Sequence, residues 1–179
     1  GSGLAKVKEF LAAGVNVGLG TDGAASNDNQ NMFDSARLVS LIHNHAGSDF
    51  NQWVTPAQAL AMATRNGARA FGLDAGVIAA GKLADIVLLR RDTPAYRPMN
   101  DVVNQIVFCE NGSNVDTVLV NGEVVVEGGR LTKVDEMEVL KRAEDARTRL
   151  EPSMQRELAA ARSMEPALAD MYFRVFGKT

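Results

Sequence analysis

The sequence predicts an α/β fold, in which helices flank one strand, a small β-rich layer follows, and a charged helical segment ends the chain. Three observations lead to this prediction. Apolar residues recur at helical spacing on both sides of one short alternating run, up to Gly72. Short apolar runs separated by turns follow Gly76, and charged residues become dense beyond Lys133.

The first part of the chain is predicted to form a helix, a strand and two further helices. Residues 4–13 have apolar side chains at helical spacing, and Gly14 is placed to end that helix. Apolar side chains alternate in residues 15–19, which indicates a strand ending just before a glycine-bracketed acid, Asp22. A small, polar loop then leads to a second helical pattern over residues 32–45.

The next helix has the clearest start in the sequence. Thr55 suits the N-cap, Pro56 suits the first helical position, and Gln58 completes a capping box. The apolar or small face of this helix continues to Phe71, and Gly72 is expected to end it. We therefore predict one helix between Thr55 and Gly72.

Beyond Gly76 the pattern is typical of short strands. The apolar runs cover residues 86–89, 105–109, 117–120 and 123–126. Asn121-Gly122 between the last two runs is a strong hairpin signal. We expect these runs to form a small β-rich layer.

The last part of the chain is predicted to be a solvated helical extension. Of the 33 residues in 133–165, 15 are charged. We expect this helix to pack through Met137, Leu140, Ala143 and Leu150, and a partner-binding helix is the alternative. The apolar residues 171–176 suit docking on their own domain or across a dimer, so a homo-oligomer, a dimer, is expected.

Composition excludes several classes of function. Of 179 residues, 46% are hydrophobic and 23% charged, as in one or two soluble domains with a core. Lys and Arg number 19 and Asp and Glu 22, interspersed, so we expect a small-molecule ligand rather than nucleic acid or a membrane surface. The single cysteine, Cys109, cannot form an internal disulfide, and no apolar run approaches the roughly 20 residues of a membrane span. We therefore expect a cytoplasmic protein.

The segment around Asp22 is compatible with two chemistries and with a simple turn. Gly18-x-Gly20-x-x-Gly23 matches the dinucleotide fingerprint, but Asp22 would oppose a phosphate there, and no second strand ending in an acid follows about 20 residues later. A carboxylate at the C-terminal end of a barrel strand suits a metal ligand. By position alone, an aspartate that caps the next turn fits equally well.

Three spaced motifs carry a resemblance to a known family. They lie at residues 14–28, 55–70 and 81–89, and residues 115–122 continue the last one. The first resembles the eighth-strand signature of the amidohydrolase superfamily, in the branch that holds methylthioadenosine/S-adenosylhomocysteine deaminases and triazine chlorohydrolases. The second is similar to the helix after that barrel, and the third to the strand that re-enters the family's composite β-sandwich.

The resemblance implies a domain organisation. Residues 1–73 would be the last helix, eighth strand and following helices of a (β/α)8, or TIM, metallo-hydrolase barrel. Residues 74–132 would be the C-terminal part of a composite β-sandwich, and residues 133–179 a helical C-terminal extension. More than half of a family-length chain would then lie outside this sequence, and we expect this chain alone to be inactive.

The resemblance also implies roles for individual residues. Asp22 matches the family's barrel-end metal ligand, which also moves a proton, and Ser26 matches a serine that helps position the site by hydrogen bonding. The implied cofactor is Zn²⁺ or Fe²⁺, held with histidines that this sequence does not contain. His43 and His45 do not replace them, because residues two apart on a helix point about 200° away from each other.

The implied function is that of a metal-dependent hydrolase acting on non-peptide carbon–nitrogen bonds. In the full-length parent it would deaminate or dechlorinate a small nitrogen heterocycle. Two alternatives remain open at this stage. One is a catalytically incomplete fragment or pseudo-enzyme with a structural role, and the other is a nucleotide-binding module.

Overall fold

A computed structural model describes residues 3–45 and 49–177 of the protein. Its elements in chain order are α1 (Val7–Ala12), α2 (Met32–His45), a 3-10 helix (Phe50–Gln52), α3 (Pro56–Ala63), α4 (Arg65–Ala70), β1 (Ile86–Leu89), α5 (Val102–Phe108), β2 (Val115–Val120), β3 (Glu123–Glu127), β4 (Arg130–Leu131) and α6 (Glu136–Phe176). The chain divides into two compact units, of which one ends at Thr132 and the other begins at Lys133. Residues 1–2, 46–48 and 178–179 fall in predicted domains but lie outside the described residues.

The helices of the first unit pack around one apolar core. The helices predicted over residues 4–13 and 32–45 are confirmed as α1 and α2. Helices α3 and α5 complete the cluster. The buried apolar side chains of this core are Val7, Ala36, Val39, Val54, Ala59, Met62 and Val107.

The capping box predicted at Thr55 is confirmed. The Thr55 hydroxyl accepts from the Gln58 backbone N–H at 3.2 Å, and Gln58 Oε1 accepts from the Thr55 N–H at 2.8 Å. The single helix predicted up to Gly72 is wrong, because the backbone breaks at Thr64 (φ −129°, ψ −99°) to give α3 and α4. At the break, the Thr64 hydroxyl donates to the Leu60 carbonyl at 2.7 Å.

Two of the predicted strands are not found. Residues 15–19 form no strand with any other described segment, and the N–H groups of Val15 and Leu19 donate to the carbonyls of Phe10 and Met62. Residues 105–109 lie mostly in helix α5. Asp101 caps this helix by accepting from the Asn104 N–H at 2.7 Å, and Val107 is fully buried in the helical core. An apolar run of five residues is too short to reveal which period it follows.

The β-rich layer is a four-stranded antiparallel sheet in the order β1-β2-β3-β4. The runs predicted at residues 86–89, 117–120 and 123–126 are confirmed as parts of β1, β2 and β3. The predicted hairpin is also confirmed: Asn121 and Gly122 have φ of 50° and 80°, which suits a two-residue turn of type I′. Membership of this sheet in a larger sandwich stays a prediction.

The second unit is one long helix, α6, of 41 residues. Asp135 caps it by accepting from the backbone N–H groups of Met137 and Glu138 at 3.0 and 3.2 Å. The predicted helical conformation is confirmed, and the packing predicted through Met137, Leu140, Ala143 and Leu150 stays a prediction. Among the described helices, α6 included, none is long and apolar enough to span a membrane.

Candidate functional site

The extended segment that leads to Asp22 is held by the junction of α3 and α4. The Leu19 N–H donates to the Met62 carbonyl at 3.0 Å, at a point where α3 is about to end. The side chains of Asn16 and Asn66 add two hydrogen bonds, each to a backbone carbonyl on the other side of this contact. Asn16 Nδ2 donates to the Asn66 carbonyl and Asn66 Nδ2 to the Val17 carbonyl, both at 2.9 Å. The end of α3 and the start of α4 therefore provide hydrogen-bond partners for this segment.

Two glycines let this segment approach the helix closely. A Cβ placed on Gly18 would lie 3.2 Å from the Cα of Gly67 in α4. That is tighter than ordinary van der Waals contact, so a side chain at Gly18 would push the segment away from the helix. The requirement for glycine here is packing rather than ligand access.

Asp22 stands at the end of the held segment with an exposed side chain. Its φ is +63°, in the left-handed region that non-glycine residues seldom adopt and that aspartate tolerates better than most. One carboxylate oxygen, Oδ1, accepts from the Gly23 N–H at 2.7 Å. A residue kept in a sparsely populated conformation costs about 1–3 kcal/mol, and such residues cluster at functional sites.

The loop after Asp22 folds back on the same segment. Asn27 Nδ2 donates to the Thr21 carbonyl at 2.7 Å, and the Ser26 N–H donates to the Gly23 carbonyl at 2.9 Å. Ser26 is exposed. The structure thus brings both predicted site residues, Asp22 and Ser26, into one loop closed by Asn27.

The far end of this loop is joined to a turn after α5. Asn31 Nδ2 donates to the Asn111 carbonyl at 2.7 Å, while Asn31 Oδ1 accepts from the Phe33 N–H at 2.9 Å and begins α2. The turn itself is built on the buried carboxylate of Glu110, which is 1% exposed. Glu110 Oε1 accepts from three backbone N–H groups, those of Asn111, Gly112 and Asn114, at 3.0, 2.8 and 3.3 Å.

The other oxygen of Glu110 binds two side chains. Glu110 Oε2 accepts from the Tyr96 hydroxyl at 2.7 Å and from Asn114 Nδ2 at 3.1 Å. Burial alone would raise the pKa of Glu110, but the hydrogen bonds from Tyr96, Asn114 and the turn backbone outweigh it and hold the pKa below its usual value. Burial and the bond to Glu110 raise the pKa of Tyr96. The pair is therefore an ionised carboxylate and a neutral phenol.

The sequence analysis missed the residues that hold the loop in place. They are Asn16, Asn31, Asn66, Tyr96 and Glu110. One signal was present: Asn16 is a polar residue within the alternating run. The other residues gave no pattern, because their partners are distant in sequence.

The described residues do not make a metal site on their own. Within residues 3–45 and 49–177, no three His, Cys, Asp or Glu side chains are grouped to hold an ion. His43 is buried in α2, where burial and the charge of Lys8 lower its pKa, whereas His45 is exposed. Asp22 therefore offers one ligand where zinc takes three or four from a protein.

The dinucleotide alternative is contradicted by the same region. A phosphate loop needs a helix that begins at the glycines, but the next helix begins only at Met32. Gly18 faces Gly67 rather than open space. The start of α4 at Arg65 does lie beside Gly18, but the close approach of Gly67 leaves no room for a phosphate between them.

Comparison with known proteins identifies related sequences. Residues 1–125 match the sequence model of the Amidohydrolase family. A 5-methylthioadenosine/S-adenosylhomocysteine deaminase from Moorella thermoacetica is 47% identical over 141 residues, which cover 77% of this chain and 32% of that protein. A 5'-deoxyadenosine deaminase from Methanocaldococcus jannaschii is 40% identical over 145 residues, covering 80% of this chain and 34% of that protein.

Solved structures of two zinc-bound enzymes are also similar to this chain. A zinc-bound adenosine deaminase from Xanthomonas campestris matches with a TM-score of 0.80 and 28% identity, covering 84% of this chain and 35% of that one. Atrazine chlorohydrolase from Arthrobacter aurescens, complexed with zinc, matches with a TM-score of 0.75 and 34% identity, covering 80% and 32%. The chain thus spans about a third of the length of the curated relatives it matches.

Proposed function

The chain belongs to the amidohydrolase family, and from this premise we propose that it supplies Asp22 to the metal site of a hydrolase acting on a nitrogen heterocycle. In this proposal residues 1–73 complete the barrel and residues 74–132 belong to a composite sandwich. Histidines elsewhere in the full-length protein complete the metal site. This chain alone is then inactive.

The observation that carries the proposal is the placement of Asp22. Its exposed carboxylate follows a segment held by Leu19, Asn16 and Asn66, and its backbone keeps a left-handed φ of +63°. A simple turn residue would need neither the holding bonds nor the strained backbone, since glycine or asparagine accepts this conformation at lower cost.

The zinc found in two structural relatives supports a divalent ion as the cofactor. Such an ion makes bound water acidic enough to react near neutral pH. Asp22 has two tasks in this proposal: it is one ligand, and its carboxylate accepts the proton that the attacking water loses and passes it to the leaving group. Ser26, in the same loop, is proposed to position the site by hydrogen bonding.

Deamination is the reaction that we favour. The relatives with the higher identities are deaminases of adenosine-type compounds by name. Water would add to a ring carbon, a carbon–oxygen bond would form, and the exocyclic carbon–nitrogen bond would break to release ammonia. Dechlorination of a triazine is the second candidate, because atrazine chlorohydrolase has a similar structure at 34% identity.

The test uses the full-length protein with Asp22→Asn. We expect turnover of 5'-deoxyadenosine or methylthioadenosine to fall by about a thousandfold or more, because both proton transfer and metal binding are impaired. Bound zinc, measured by elemental analysis, should also decrease. Asp28→Asn, which removes an exposed acid from the same loop, is the matched control and should keep activity and zinc.

Two results would oppose the proposal. Wild-type turnover in Asp22→Asn would remove Asp22 from the site. Tight, stoichiometric zinc in the 179-residue chain alone would show that the site does not need ligands from outside this chain. Atrazine tested beside the nucleosides separates dechlorination from deamination.

A further inference from the structure

The long helix α6 carries an apolar stripe that repeats every seven residues. With Leu140 at position a of a heptad, the a and d positions are apolar at Leu140, Ala143, Leu150, Met154, Ala161, Met164, Leu168, Met171 and Val175. The two exceptions are Arg147 and Glu157. An apolar repeat of this kind is what two helices need in order to pack side by side. These a and d residues are called the seam below.

The seam is exposed along its length. None of the described residues of α6 is buried, and Leu140, Met164 and Val175 are 62%, 57% and 70% exposed. Tertiary packing of an apolar face, more than helix propensity, stabilises helices in proteins. A helix of 41 residues, about 60 Å long, with an exposed apolar stripe that only Arg147 and Glu157 interrupt, therefore needs a partner.

The residues beside and opposite the seam do not obstruct it. Pro152 and Pro166 both occupy heptad position f, on the face away from the seam. A proline inside a helix removes a backbone hydrogen bond, and at position f this loss falls on the outer face. Four of the six g positions of α6, beside the seam, hold small residues that let another helix approach closely: Ala146, Ser153, Ala160 and Ala167.

The two charged residues of the seam lie symmetrically about Pro152, with Arg147 before it and Glu157 equally far after it. In an antiparallel pair of α6 helices centred at Pro152, Arg147 of each copy faces Glu157 of the other. The same register sets six of the nine apolar seam residues against each other: Leu150 against Met154, Ala143 against Ala161, and Leu140 against Met164. The remaining three, Leu168, Met171 and Val175, extend beyond this paired region.

We propose that α6 binds α6 of a second copy of this chain as an antiparallel helix pair centred at Pro152. Charge complementarity selects this arrangement. In a parallel pair, a faces a and d faces d, so Arg147 would meet Arg147 and Glu157 would meet Glu157. An antiparallel pair shifted by one heptad would set each charge against an apolar side chain. The proposal is independent of the hydrolase function.

Existing contacts of Arg147 are compatible with this pairing. Its guanidinium lies 3.5 Å from Glu144 and 3.2 Å from Glu151 of the same helix, and the side chain is 60% exposed. A guanidinium has five N–H donors, so it can bind Glu157 of the second copy while it keeps Glu151. Arg147 therefore also balances the charge of Glu151, which lies close to the two-fold axis that relates the two helices of the pair.

The first test exchanges the charges in the 179-residue chain. Arg147→Glu, Glu157→Arg and the double variant are compared with the unaltered chain by sedimentation equilibrium. Arg149→Glu, at position c outside the seam, is the matched control. We expect the unaltered chain and the control to dimerise, each single variant to have a dissociation constant at least about tenfold higher, and the double variant to recover.

The proposal is overturned by a monomeric unaltered chain, which would mean that the seam docks within one chain. Single variants that dimerise normally, or a double variant that does not recover, would also overturn it. Circular dichroism shows whether each variant keeps its helix.

A second measurement does not depend on the charge variants. Spin labels are attached to cysteine at Ala159 or Ala169, both outside the seam, with Cys109→Ser to remove the native thiol. Antiparallel pairing centred at Pro152 separates the two labels along the helix axis by about 20 Å at Ala159 and about 50 Å at Ala169. Short separations at both positions would indicate a parallel pair and overturn the proposal.

Discussion

Replacing Glu110 by glutamine should destabilise the first unit by about 2–4 kcal/mol. The Glu110 carboxylate accepts five hydrogen bonds, three from backbone N–H groups and two from Tyr96 and Asn114. A hydrogen bond to a charged group contributes about 1.5–3 kcal/mol, against about 1 kcal/mol for a neutral one. The glutamine carbonyl oxygen can still accept from the three N–H groups, as a neutral acceptor. Its NH₂ group, however, is itself a donor and would face two other donors, the Tyr96 hydroxyl and Asn114 Nδ2. Part of that cost is recovered, because the tyrosine hydroxyl can turn and accept.

The assay is urea unfolding at pH 7, followed by the fluorescence of Trp53. Trp53 is the single tryptophan of the chain and lies in the first unit. Tyr96→Phe is the matched control, since it removes one of the five bonds and leaves the carboxylate with the other four; we expect about 1–2 kcal/mol. The double variant should lose less than the two single losses together, because both remove the same contact.

Acid titration gives the same prediction an independent check. The native pKa of Glu110 is held below its ordinary value of 4.5. Between the two values the unfolded chain binds a proton that the folded chain does not, so stability rises with pH there. The contribution of Glu110 is complete above about pH 4.5 and is lost as pH falls through the lowered native pKa. The difference between wild type and Glu110→Gln should therefore narrow below about pH 4.5. A glutamine variant within about 0.5 kcal/mol of wild type at pH 7, or a difference that stays constant in acid, would refute the reasoning.

Two further substitutions test the helices that hold the candidate site. Gly18→Ala should cost about 1–2 kcal/mol in the same urea assay, because its Cβ would lie 3.2 Å from the Cα of Gly67, whereas Gly20→Ala has open space and should cost less. Equal losses at the two glycines would contradict the packing argument. Thr55→Ala should cost about 1 kcal/mol through loss of the capping box with Gln58, and an unchanged urea midpoint would show that the box does not stabilise α3.

The features that the sequence predicted correctly depend on residues close together in the chain. The capping box joins Thr55 to a residue three positions later, and the Asn121-Gly122 turn needs only its own two residues in a left-handed conformation. The regular spacing in residues 32–45 is long enough to show a helical period. Such signals are complete within one short window.

The errors arose where a distant contact decides the structure. Alternation in residues 15–19 is compatible with a strand, but a strand also needs a hydrogen-bonded neighbour, and here the partner is a helix end near Met62. Residues 105–109 lie mostly in a helix because Asp101 caps that helix and because Val107 is buried in the helical core. Neither influence is visible within an apolar run of five residues.

In the candidate site, too, the residues in a local motif were predicted and the distant contacts were not. Asp22 and Ser26 were found by a motif in one stretch of the chain, and their roles remain proposals. The bonds that hold their loop join Asn16 to Asn66 and Asn31 to Asn111. Single asparagines are common in turns, and no spacing rule connects residues so far apart.

The bond from Leu19 to the end of α3 has a mechanical consequence for Asp22. The acid lies in a loop, but the segment before it is fixed to a helix whose Met62 side chain is fully buried. Closely packed interiors transmit displacement rather than absorb it. A substitution beneath α3, even one far from Asp22, would therefore move the carboxylate together with the segment before it, and its first effect would be a displaced carboxylate rather than a more mobile loop.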